Sequence, residues 1–500
     1  MRYVTDVQHR TMLPLLSTTK AGGTAGKGCG TSPDYGMVDP YVITRTGPTR
    51  DVTIKPLFCI PTLAHIEITY ACMEDCIMCY NPTRTKVSHR DKELVWDIVR
   101  RVAEQRIPHT YLIGGEPTYG YSAAELSDMV EYLSDHGSSV TIVTNGQIHL
   151  KQFTNRLSCF GVSLHGADPE THDSITRKPG SFKRSVAAAR QYVEDGHDVR
   201  IVPVVMGRNH DQMYKIAELA NDIGAESIYY DIYEPGGIGE ANSHDAGMHM
   251  QPSIAELKVA VGQIVGAHDD FPFRGSVGIG TALPYCFDER LIVRHMFQNC
   301  GVGTYFCAIT NTGDMRMCNQ SKMRLGNVLD RSLREIWTDP LFDQVFRNLS
   351  WVEEPCASCP VLHDCGGGCK VDEGCSSGEL CIDRVVRGLS PEVKLKLSAA
   401  DGFTQRLVAD VPAGYRRFTP NRYLAVTDLY AEWGDIFFKT RYQTVRITAN
   451  EQRMLETIME TGGVIDEHAF VAAYEPWVEE PELRLFVSRL EQAGAIDVLV

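Results

Sequence analysis

Residues 64–79 read Ala-His-Ile-Glu-Ile-Thr-Tyr-Ala-Cys-Met-Glu-Asp-Cys-Ile-Met-Cys, a short apolar segment followed directly by three cysteines. The stretch from His65 to Tyr70 has the length and composition of a buried strand, which places Cys72, Cys76 and Cys79 on the loop at its carboxyl end. Three thiolates on a tight loop can bind three irons of a [4Fe-4S] cluster and leave the fourth iron open to a ligand. A zinc knuckle that lacks one ligand, or three unconnected cysteines, is the alternative interpretation.

From Ala64 to about Tyr233, short apolar strands alternate with amphipathic helices, which is typical of repeated βα units and a parallel sheet. The predicted strands are His65–Tyr70, His109–Ile113, Val140–Thr144, Cys159–Leu164, Val199–Val205 and Ser227–Ile232. The predicted helices are Leu94–Gln105, Ala124–Asp135, Phe182–Asp195 and Asp211–Asp222. Six strands predict an α/β fold that is either a partial (β/α)6 barrel of the TIM type or a curved sheet. In both, functional residues lie at the carboxyl ends of the strands.

A second cysteine-rich segment lies between residues 286 and 390, where regular periodicity gives way to turns around one predicted helix, Leu333–Leu349. Its cysteines are Cys300, Cys307, Cys318, Cys356, Cys359, Cys365, Cys369 and Cys381, with Cys375 as the alternative to Cys381. Metal binding can replace the apolar core that such a segment lacks. Eight thiolates suffice for two closed [4Fe-4S] sites, and the spacing also permits two zinc sites of four cysteines each.

Two motifs together carry a resemblance to a known family. The CxxxCxxC loop after the first strand and Gly114-Gly115-Glu116-Pro117 after the second resemble the radical S-adenosylmethionine (SAM) superfamily, over roughly Ala64 to Tyr233. In that family the methionyl amine and carboxylate of SAM bind the open iron, and an electron from the cluster cleaves the sulfonium to a 5′-deoxyadenosyl radical. The resemblance therefore implies an enzyme whose protein part positions the radical and excludes competing reactions.

The resemblance also implies which residues contact SAM. Glu116 and the backbone of Gly114 and Gly115 are expected to hold the methionyl ammonium, a task suited to a carboxylate and to close backbone approach. The other expected contacts are Met78, Tyr80, Pro117, Asn145, Ser163 and Arg177, the last of which would pair with the SAM carboxylate.

The sequence departs from the family pattern at two positions. Met78 stands before the third cysteine, where the family usually has an aromatic residue, but the adenine contact there is mainly through the backbone. Ser163-Leu-His165-Gly166 stands where peptide-modifying relatives often carry Ser-x-Asp-Gly. No acid or base role is therefore transferred from that aspartate.

The second cysteine set resembles the SPASM extension, which binds two auxiliary [4Fe-4S] clusters. The segments Leu325–Val328 and Ser332–Trp337 match the part that joins its two halves. Family ligation assigns Cys300, Cys307, Cys318 and Cys369 to the first cluster and Cys356, Cys359, Cys365 and Cys381 to the second. The resemblance thus implies three [4Fe-4S] clusters and SAM as cofactors, with a reductant such as flavodoxin or ferredoxin as a partner.

Composition limits the classes of partner. The chain has 500 residues, of which 43% are hydrophobic and 23% charged, and its formal net charge is −15. This acidic balance argues against broad binding to nucleic acid or to an anionic membrane. The sequence has neither an apolar stretch of membrane-spanning length nor the pattern of a signal peptide, so we expect a cytoplasmic protein without a membrane partner.

The two ends of the chain differ in character. Residues 1–60 are rich in glycine and proline and are predicted to form a partly flexible arm, followed by a core at 61–285. Residues 391–500 are predicted to contain a linker and a small α+β domain of winged-helix type. Its elements are paired strands within Ile436–Ile447, helices at Asn450–Glu460, Glu467–Tyr474 and Pro481–Ala493, and a last strand at Ala495–Val500.

This last domain resembles PqqD-like recognition elements, in which a leader peptide adds a strand to a small sheet. The alternative is a generic winged helix that serves packing or DNA binding. With the cysteine motifs, the resemblance implies an enzyme that abstracts hydrogen from a residue of a ribosomally made precursor peptide and forms a cross-link, an epimer or an oxidised side chain.

Two other functions remain open on the sequence. The same chemistry could act on a small-molecule metabolite, with the last domain used for dimerisation, or the cysteines could hold zinc in a non-catalytic adaptor. For the enzyme, the sixth strand carries Tyr229, Asp231 and Tyr233 on one face and Tyr230 and Ile232 on the other, and a barrel would direct the first set inward. The alternative is that the tyrosines only pack between helix and sheet. Asp231 is the candidate catalytic residue that handles a substrate proton.

Overall fold

The computed structural model describes most of residues 60–340 and 416–499, together with residues 41–45, 52–56, 347, 356 and 365–369. Within the two long ranges, residues 85–90, residues 428–435 and several shorter segments are not described. Cys359, Cys375 and Cys381 lie outside the described residues, as do most of the predicted arm and linker.

A curved sheet of eleven strands forms the centre of the molecule. Its strands are β3 (Leu63–Thr69), β4 (His109–Gly114), β5 (Ser139–Thr144), β6 (Cys159–Ser163), β7 (Val199–Val202), β8 (Val204–Val205), β9 (Ser227–Ile232), β10 (Val277–Ile279), β11 (Phe306–Ile309), β12 (Asp314–Arg316) and β13 (Arg324–Asn327). The order is β10-β9-β7-β6-β5-β4-β3-β11-β12-β13, with β8 beside β9. All neighbours from β10 to β11 are parallel, so the six predicted strands are confirmed as consecutive members of a partial barrel.

Nine helices are described between residues 92 and 337, and several of them pack against the sheet. They are α1 (Lys92–Glu104), α2 (Pro117–Gly120), α3 (Ala123–Asp135), α4 (Pro169–Thr176), α5 (Ser181–Glu194), α6 (Met213–Ile223), α7 (Gly237–Ser243), α8 (Ile254–Asp270) and α9 (Leu333–Trp337). In α1, Asp91 accepts a hydrogen bond from the backbone of Leu94 at the amino end, and an apolar stripe that includes Val95 and Val102 is buried. The four predicted helices are therefore confirmed as α1, α3, α5 and α6, each within two residues at either end.

Both faces of the sheet are buried, which explains why its strands are almost continuously apolar. Ile66, Ile68, Leu112 and Ile142 are wholly buried in one core that the covering helices share. Several polar side chains interrupt this pattern and are also buried, among them Glu67 and Thr110. Since buried polar groups need hydrogen-bond partners, such residues indicate hydrogen-bonded clusters inside the protein.

Several features of the barrel and of residues 1–60 were not predicted. The strand β10 and the 17-residue helix α8 extend the barrel beyond the six predicted strands. The predicted strand at Val199–Val205 is divided into β7 and β8, because Pro203 cannot donate to the ladder. Within residues 1–60, Tyr41–Arg45 (β1) and Val52–Pro56 (β2) pair as an antiparallel hairpin where a flexible arm was predicted.

The prediction of a single helix at Leu333–Leu349 is wrong. The helix α9 begins with a capping box at Ser332 and ends at Trp337, with Thr338 as its carboxyl cap. Pro340 follows, and a proline cannot continue a helix in the interior because it lacks the backbone donor.

The cysteine-rich region is joined to the barrel by β-sheet hydrogen bonding. The strand β11 pairs in parallel with β3, so that Cys307 lies opposite Ala64. The strands β12 and β13 then continue the sheet as antiparallel neighbours, where turns alone were predicted. This pairing brings the region after Cys300 against the first strand of the barrel.

The carboxyl-terminal residues form a separate α+β unit. Its elements are β14 (Arg417–Pro420), β15 (Ala425–Thr427), β16 (Ile436–Lys439), β17 (Thr444–Ile447), α10 (Ala449–Thr461), β18 (Ile465–Asp466), α11 (Glu467–Tyr474), α12 (Glu480–Gln492) and β19 (Ile496–Leu499). The two three-stranded sheets have the orders β18-β14-β19 and β15-β16-β17. Their apolar core, which includes Leu455 and Phe486, is distinct from that of the barrel, and the predicted elements agree closely with those observed.

Candidate functional site

A cavity of about 390 Å³ opens inside the barrel at the carboxyl ends of the strands. Its wall includes Cys72, Cys76 and Cys79 from the loop after β3. It also includes Cys300, Cys318 and Cys369 from the cysteine-rich region. The two cysteine sets, which lie more than 200 residues apart in the sequence, therefore face one space.

The loop of the first cysteine set is held from two directions. The backbone amides of Asp75 and Ile77 donate to carbonyl oxygens at the end of α4, at 3.0 Å each. From the other side, the backbone amide of Gly239 donates to the carbonyl of Cys79 at 2.8 Å. The three-cysteine loop is thus fixed by main-chain contacts that do not depend on its side chains.

The environment of these thiols fits a metal cluster. Burial raises the pKa of Cys72 to about 12, and burial also raises the pKa of Cys76 well above the usual value of a thiol. All eleven cysteines that the structure describes are free of disulfides. A desolvated thiol becomes a thiolate most readily when a cation replaces its proton, as iron does in an iron–sulfur cluster.

No three Cys, His, Asp or Glu side chains among the described residues converge closely enough to share a single metal ion. Each thiolate of a [4Fe-4S] cluster binds a different iron, so such convergence is not required of its ligands.

The Gly-Gly-Glu-Pro segment packs directly against the cysteine loop. The backbone amide of Gly115 donates to Thr69 at 2.6 Å, and that of Glu116 donates to Ala71 at 2.7 Å. Gly114 has a φ of +130°, and a Cβ at Gly115 would lie 2.3 Å from the carbonyl oxygen of Ala71. Only glycines allow this approach of β4 to the end of β3.

Glu116 lies at the centre of a buried hydrogen-bond cluster. Its Oε1 accepts from the backbone and hydroxyl of Thr118 at 3.0 and 2.7 Å and from the hydroxyl of Thr144 at 2.7 Å. Among the residues that the structure describes, its Oε2 accepts one hydrogen bond, from the backbone amide of Asn145 at 2.6 Å. Burial raises the pKa of this carboxyl, while these hydrogen bonds act in the opposite direction. Oε2 therefore retains capacity for one further donor.

The remaining predicted SAM contacts lie in three places. Met78, Tyr80, Asn145 and Ser163 line the cavity together with Gly114, Gly115 and Glu116. Pro117 is buried at the first position of α2, directly behind Glu116. Arg177 lies elsewhere: it is exposed at the end of α4, in a left-handed conformation, with its guanidinium 3.4 Å from the sulfur of Met248.

The predicted SPASM ligands that the structure describes differ in their surroundings, since some line the cavity and others do not. The thiol of Cys318 donates to Oε1 of Gln320 at 2.9 Å, and burial and the nearby Cys300 raise its pKa to about 12. Cys307 is wholly buried in the apolar core on β11, away from the cavity wall. Cys365 is also buried, and Cys356 is partly exposed.

The sixth predicted strand, β9, presents the expected face to the cavity. Tyr229, Asp231 and Tyr233 line it, whereas Tyr230 is wholly buried in the core, where its hydroxyl donates to the backbone of Met213 at 2.9 Å. Burial raises the pKa of Asp231 to about 6, with the nearby Arg200 acting in the opposite direction. Ile232, predicted to face away, touches the cavity as well.

Several cavity residues were not singled out from the sequence. His65, Tyr111 and Arg200 line its inner end, and His165 lies near Ser163. Nδ1 of His165 accepts from the backbone amide of Val204 at 3.2 Å, so its proton is on Nε2. In the sequence, these cavity residues could have been recognised only as polar residues within otherwise apolar strands.

Comparison with known families agrees with this geometry. The Radical SAM superfamily matches residues 66–220, and the SPASM iron–sulfur cluster-binding domain matches residues 300–360. The chain carries a radical SAM domain and a SPASM domain. The match to an iron–sulfur cluster-binding domain argues against the zinc-adaptor alternative for this enzyme.

Individual relatives are similar to the enzyme over most of their own length. PqqA peptide cyclase of Streptomyces rochei is 27% identical over 365 residues, covering 70% of this chain and 95% of the relative. Mycofactocin maturase MftC of Mycolicibacterium smegmatis is 27% identical, covering 61% and 76%. AdoMet-dependent heme synthase of Methanosarcina barkeri is 26% identical, covering 64% and 94%.

A solved structure shares the fold of the enzyme. Native anSMEcpe with bound AdoMet and Cp18Cys peptide superposes with a TM-score of 0.51 at 18% identity, covering 69% of this chain and 98% of that one. Among the residues that the structure describes, none of the helices is both long and apolar enough to cross a bilayer.

Proposed function

We propose that this enzyme cleaves SAM reductively and abstracts hydrogen from a residue of a ribosomally made precursor peptide. The observation that carries this proposal is the single cavity faced by both cysteine sets, with Asp231 and Tyr229 on its wall. A substrate held there would lie within reach of a radical formed at one set and of an electron acceptor at the other.

The cofactors of this proposal are SAM and three [4Fe-4S] clusters. The clusters would supply the electron that cleaves SAM and accept the electron that the substrate loses. Cys72, Cys76 and Cys79 would hold the first cluster, and the SPASM cysteines the other two. The chain's own part is to orient SAM and the substrate and to exclude water from the cavity.

Orientation of SAM falls to the rigid cluster around Glu116. Because Thr118, Thr144 and Asn145 fix the carboxylate, Oε2 can accept a hydrogen bond from an ammonium without reorganising. Asn145 and Ser163 lie on the same wall and would contact the rest of the SAM molecule.

We expect Glu116→Gln to weaken SAM binding about tenfold or more, because a charge-assisted bond becomes neutral and the amide group is forced against a backbone or hydroxyl donor. Isothermal titration calorimetry under anaerobic conditions measures the change. Glu125→Gln is the matched control, since Glu125 likewise accepts from the backbone and hydroxyl of a residue at a helix end, Ser122, but lies outside the cavity. Unaltered SAM affinity in Glu116→Gln would remove Glu116 from the site.

Asp231 is proposed to take up the proton that the substrate loses. With a pKa of about 6, its carboxyl is protonated below that pH and able to accept a proton above it. Product formation should therefore rise with pH through about 6.

We expect Asp231→Asn to slow product formation about 100-fold or more and to remove this pH dependence, while iron content is retained. The exposed Asp222 provides the control Asp222→Asn. Full product formation by a folded, cluster-loaded Asp231→Asn variant would exclude the role.

The peptide is favoured as substrate by the separate carboxyl-terminal unit. Its strand β19 is at the edge of the β18-β14-β19 sheet, next to α12, and an edge strand can accept an added strand from a peptide. Two of the relatives reported above are by name a peptide cyclase and a maturase. The heme synthase similarity keeps a small-molecule substrate as the second candidate.

The direct test incubates the cluster-loaded enzyme with SAM, dithionite and each short peptide encoded beside its gene. Mass spectrometry should show formation of 5′-deoxyadenosine and a peptide altered at one residue or joined between two. Turnover of a metabolite with no change in any such peptide would favour the second candidate.

A further inference from the structure

The inner end of the cavity has a distinct construction. We call it the floor and define it by His65, Tyr111, Arg200, Tyr229 and Phe306, all of which line the cavity and lie on strands of the central sheet. His65 and Tyr111 are each the third residue of their strand, far from the cysteine loop at the other end.

The ring of His65 is held in one orientation. It stacks on Tyr111 with ring centres 4.8 Å apart and planes inclined by 12°, and it meets Phe306 edge-on at 4.7 Å. The hydroxyl of Tyr111 accepts a hydrogen bond from Arg200 at 3.1 Å, which fixes that neighbour in turn. An imidazole packed in this way cannot rotate to exchange its two nitrogens.

A buried chain of hydrogen bonds then selects the tautomer of His65. Glu67 accepts from Arg316, from the hydroxyl of Tyr70 at 2.7 Å and from Nδ2 of Asn319 at 3.0 Å. Because the amide nitrogen of Asn319 faces a carboxylate, its oxygen faces His65, 2.8 Å from Nδ1. An amide oxygen can only accept, so Nδ1 of His65 carries the proton and Nε2 presents a lone pair.

This lone pair is open to the cavity. Nε2 of His65 makes no hydrogen bond within the part of the chain that the structure describes. This atom is nevertheless not fully buried, so a molecule in the cavity can reach it. Burial deep in the molecule lowers the pKa of His65 to about 4, with the bond to Asn319 acting in the opposite direction. The imidazole is therefore neutral near pH 7 and acts as an acceptor.

We propose that the floor binds a substrate side chain that carries an O–H or N–H donor, which is directed at Nε2 of His65. This inference rests on the proposed function, because it specifies which peptide side chains the cavity takes. An apolar side chain of equal size would displace water and leave Nε2 buried without a partner, which is costly. Sites that hydrogen-bond a substrate group reject the analogue that lacks it more strongly than apolar pockets reject size differences.

The experiment uses the full-length, cluster-loaded enzyme and pairs of probes of nearly equal shape. The pairs are the N-acetyl amides of threonine and valine, of asparagine and leucine, and of tyrosine and phenylalanine. Binding is measured by saturation-transfer NMR for the wild type, His65→Gln, which keeps an acceptor, and His65→Phe, which removes it. His136→Phe is the matched control, because His136 lies at the end of α3, outside the cavity.

The wild type and His136→Phe should favour the donor-bearing member of at least one pair about tenfold or more. His65→Gln should retain part of this preference, and His65→Phe should lose it. Absence of a preference in every wild-type pair, absence of binding by all probes, or an undiminished preference in His65→Phe would overturn the proposal.

The wild-type comparison needs no variant, so a His65→Phe chain that fails to fold does not prevent a decision. The two proposals also fail separately. If the enzyme modifies a precursor peptide but shows no preference for donor-bearing probes, only the proposal for the floor is contradicted. If it shows a clear preference but modifies no peptide, only the proposed peptide-maturase function is contradicted.

Discussion

Simultaneous replacement of Cys72, Cys76 and Cys79 by alanine is expected to abolish reductive cleavage of SAM completely. The three cubane clusters proposed above, with eleven cysteine ligands, predict about twelve irons and twelve sulfides per wild-type chain after anaerobic reconstitution. The triple variant should keep about eight of these irons, because the SPASM cysteines lie on other segments. Iron and sulfide analysis and the yield of 5′-deoxyadenosine measure the two effects.

The loop architecture makes this variant informative. Since main-chain bonds hold the loop at Asp75, Ile77 and Cys79, removal of the thiols need not release it from the barrel. Cys159→Ala is the control, because Cys159 is buried on β6 away from the cavity and should leave both iron content and cleavage intact. Iron near four per wild-type chain, with stoichiometric zinc, would contradict the auxiliary clusters.

Local signals were sufficient to predict the barrel strands. The strands from β3 to β9 are short apolar runs between amphipathic helices, and a strand buried on both faces can hardly have another composition. In helix α5, burial likewise determines the composition of the side that faces the sheet, where Ala188, Ala189 and Tyr192 are buried. The agreement therefore follows from burial, which the sequence records residue by residue.

The sheet edges could not be predicted in this way. The strands β10 and β11 are only three and four residues long, and their partners β9 and β3 are distant in the sequence. A segment of that length has no reliable periodicity, so its structure depends on an edge that exists only after the rest has folded. The contact between the SPASM region and the barrel was missed for this reason.

The parts of the candidate site that consist of a short sequence motif were predicted. The parts formed by residues from distant strands were missed. The cysteine spacing and Gly114-Gly115-Glu116 can be recognised in the sequence, because metal binding and close backbone approach restrict which residue types can be used. The floor residues His65 and Arg200 come from strands far apart in the chain and become meaningful only through neighbours such as Asn319. No local pattern reveals that a histidine has a fixed tautomer.

Deletion of residues 415–500 is expected to abolish binding of the leader peptide and to leave uncoupled cleavage of SAM in place. The unit has its own core, and Arg416 pairs with Glu467 and Glu491 inside it. The cysteine sets belong to other parts of the chain. The proposal places leader recognition and radical formation in different units, so we expect that one can be lost without the other.

The wild type should bind the leader with roughly micromolar affinity, since an added strand buries modest area and must order a flexible peptide. Fluorescence anisotropy of a labelled leader encoded beside the gene measures the loss in the deletion variant. Val464→Ser is the matched control within the same unit, because Val464 is 58% exposed and precedes β18. Its leader affinity should equal that of the wild type. If no neighbouring peptide binds the wild type, and a metabolite is turned over without any peptide, the unit serves another purpose and the enzyme is not a peptide maturase.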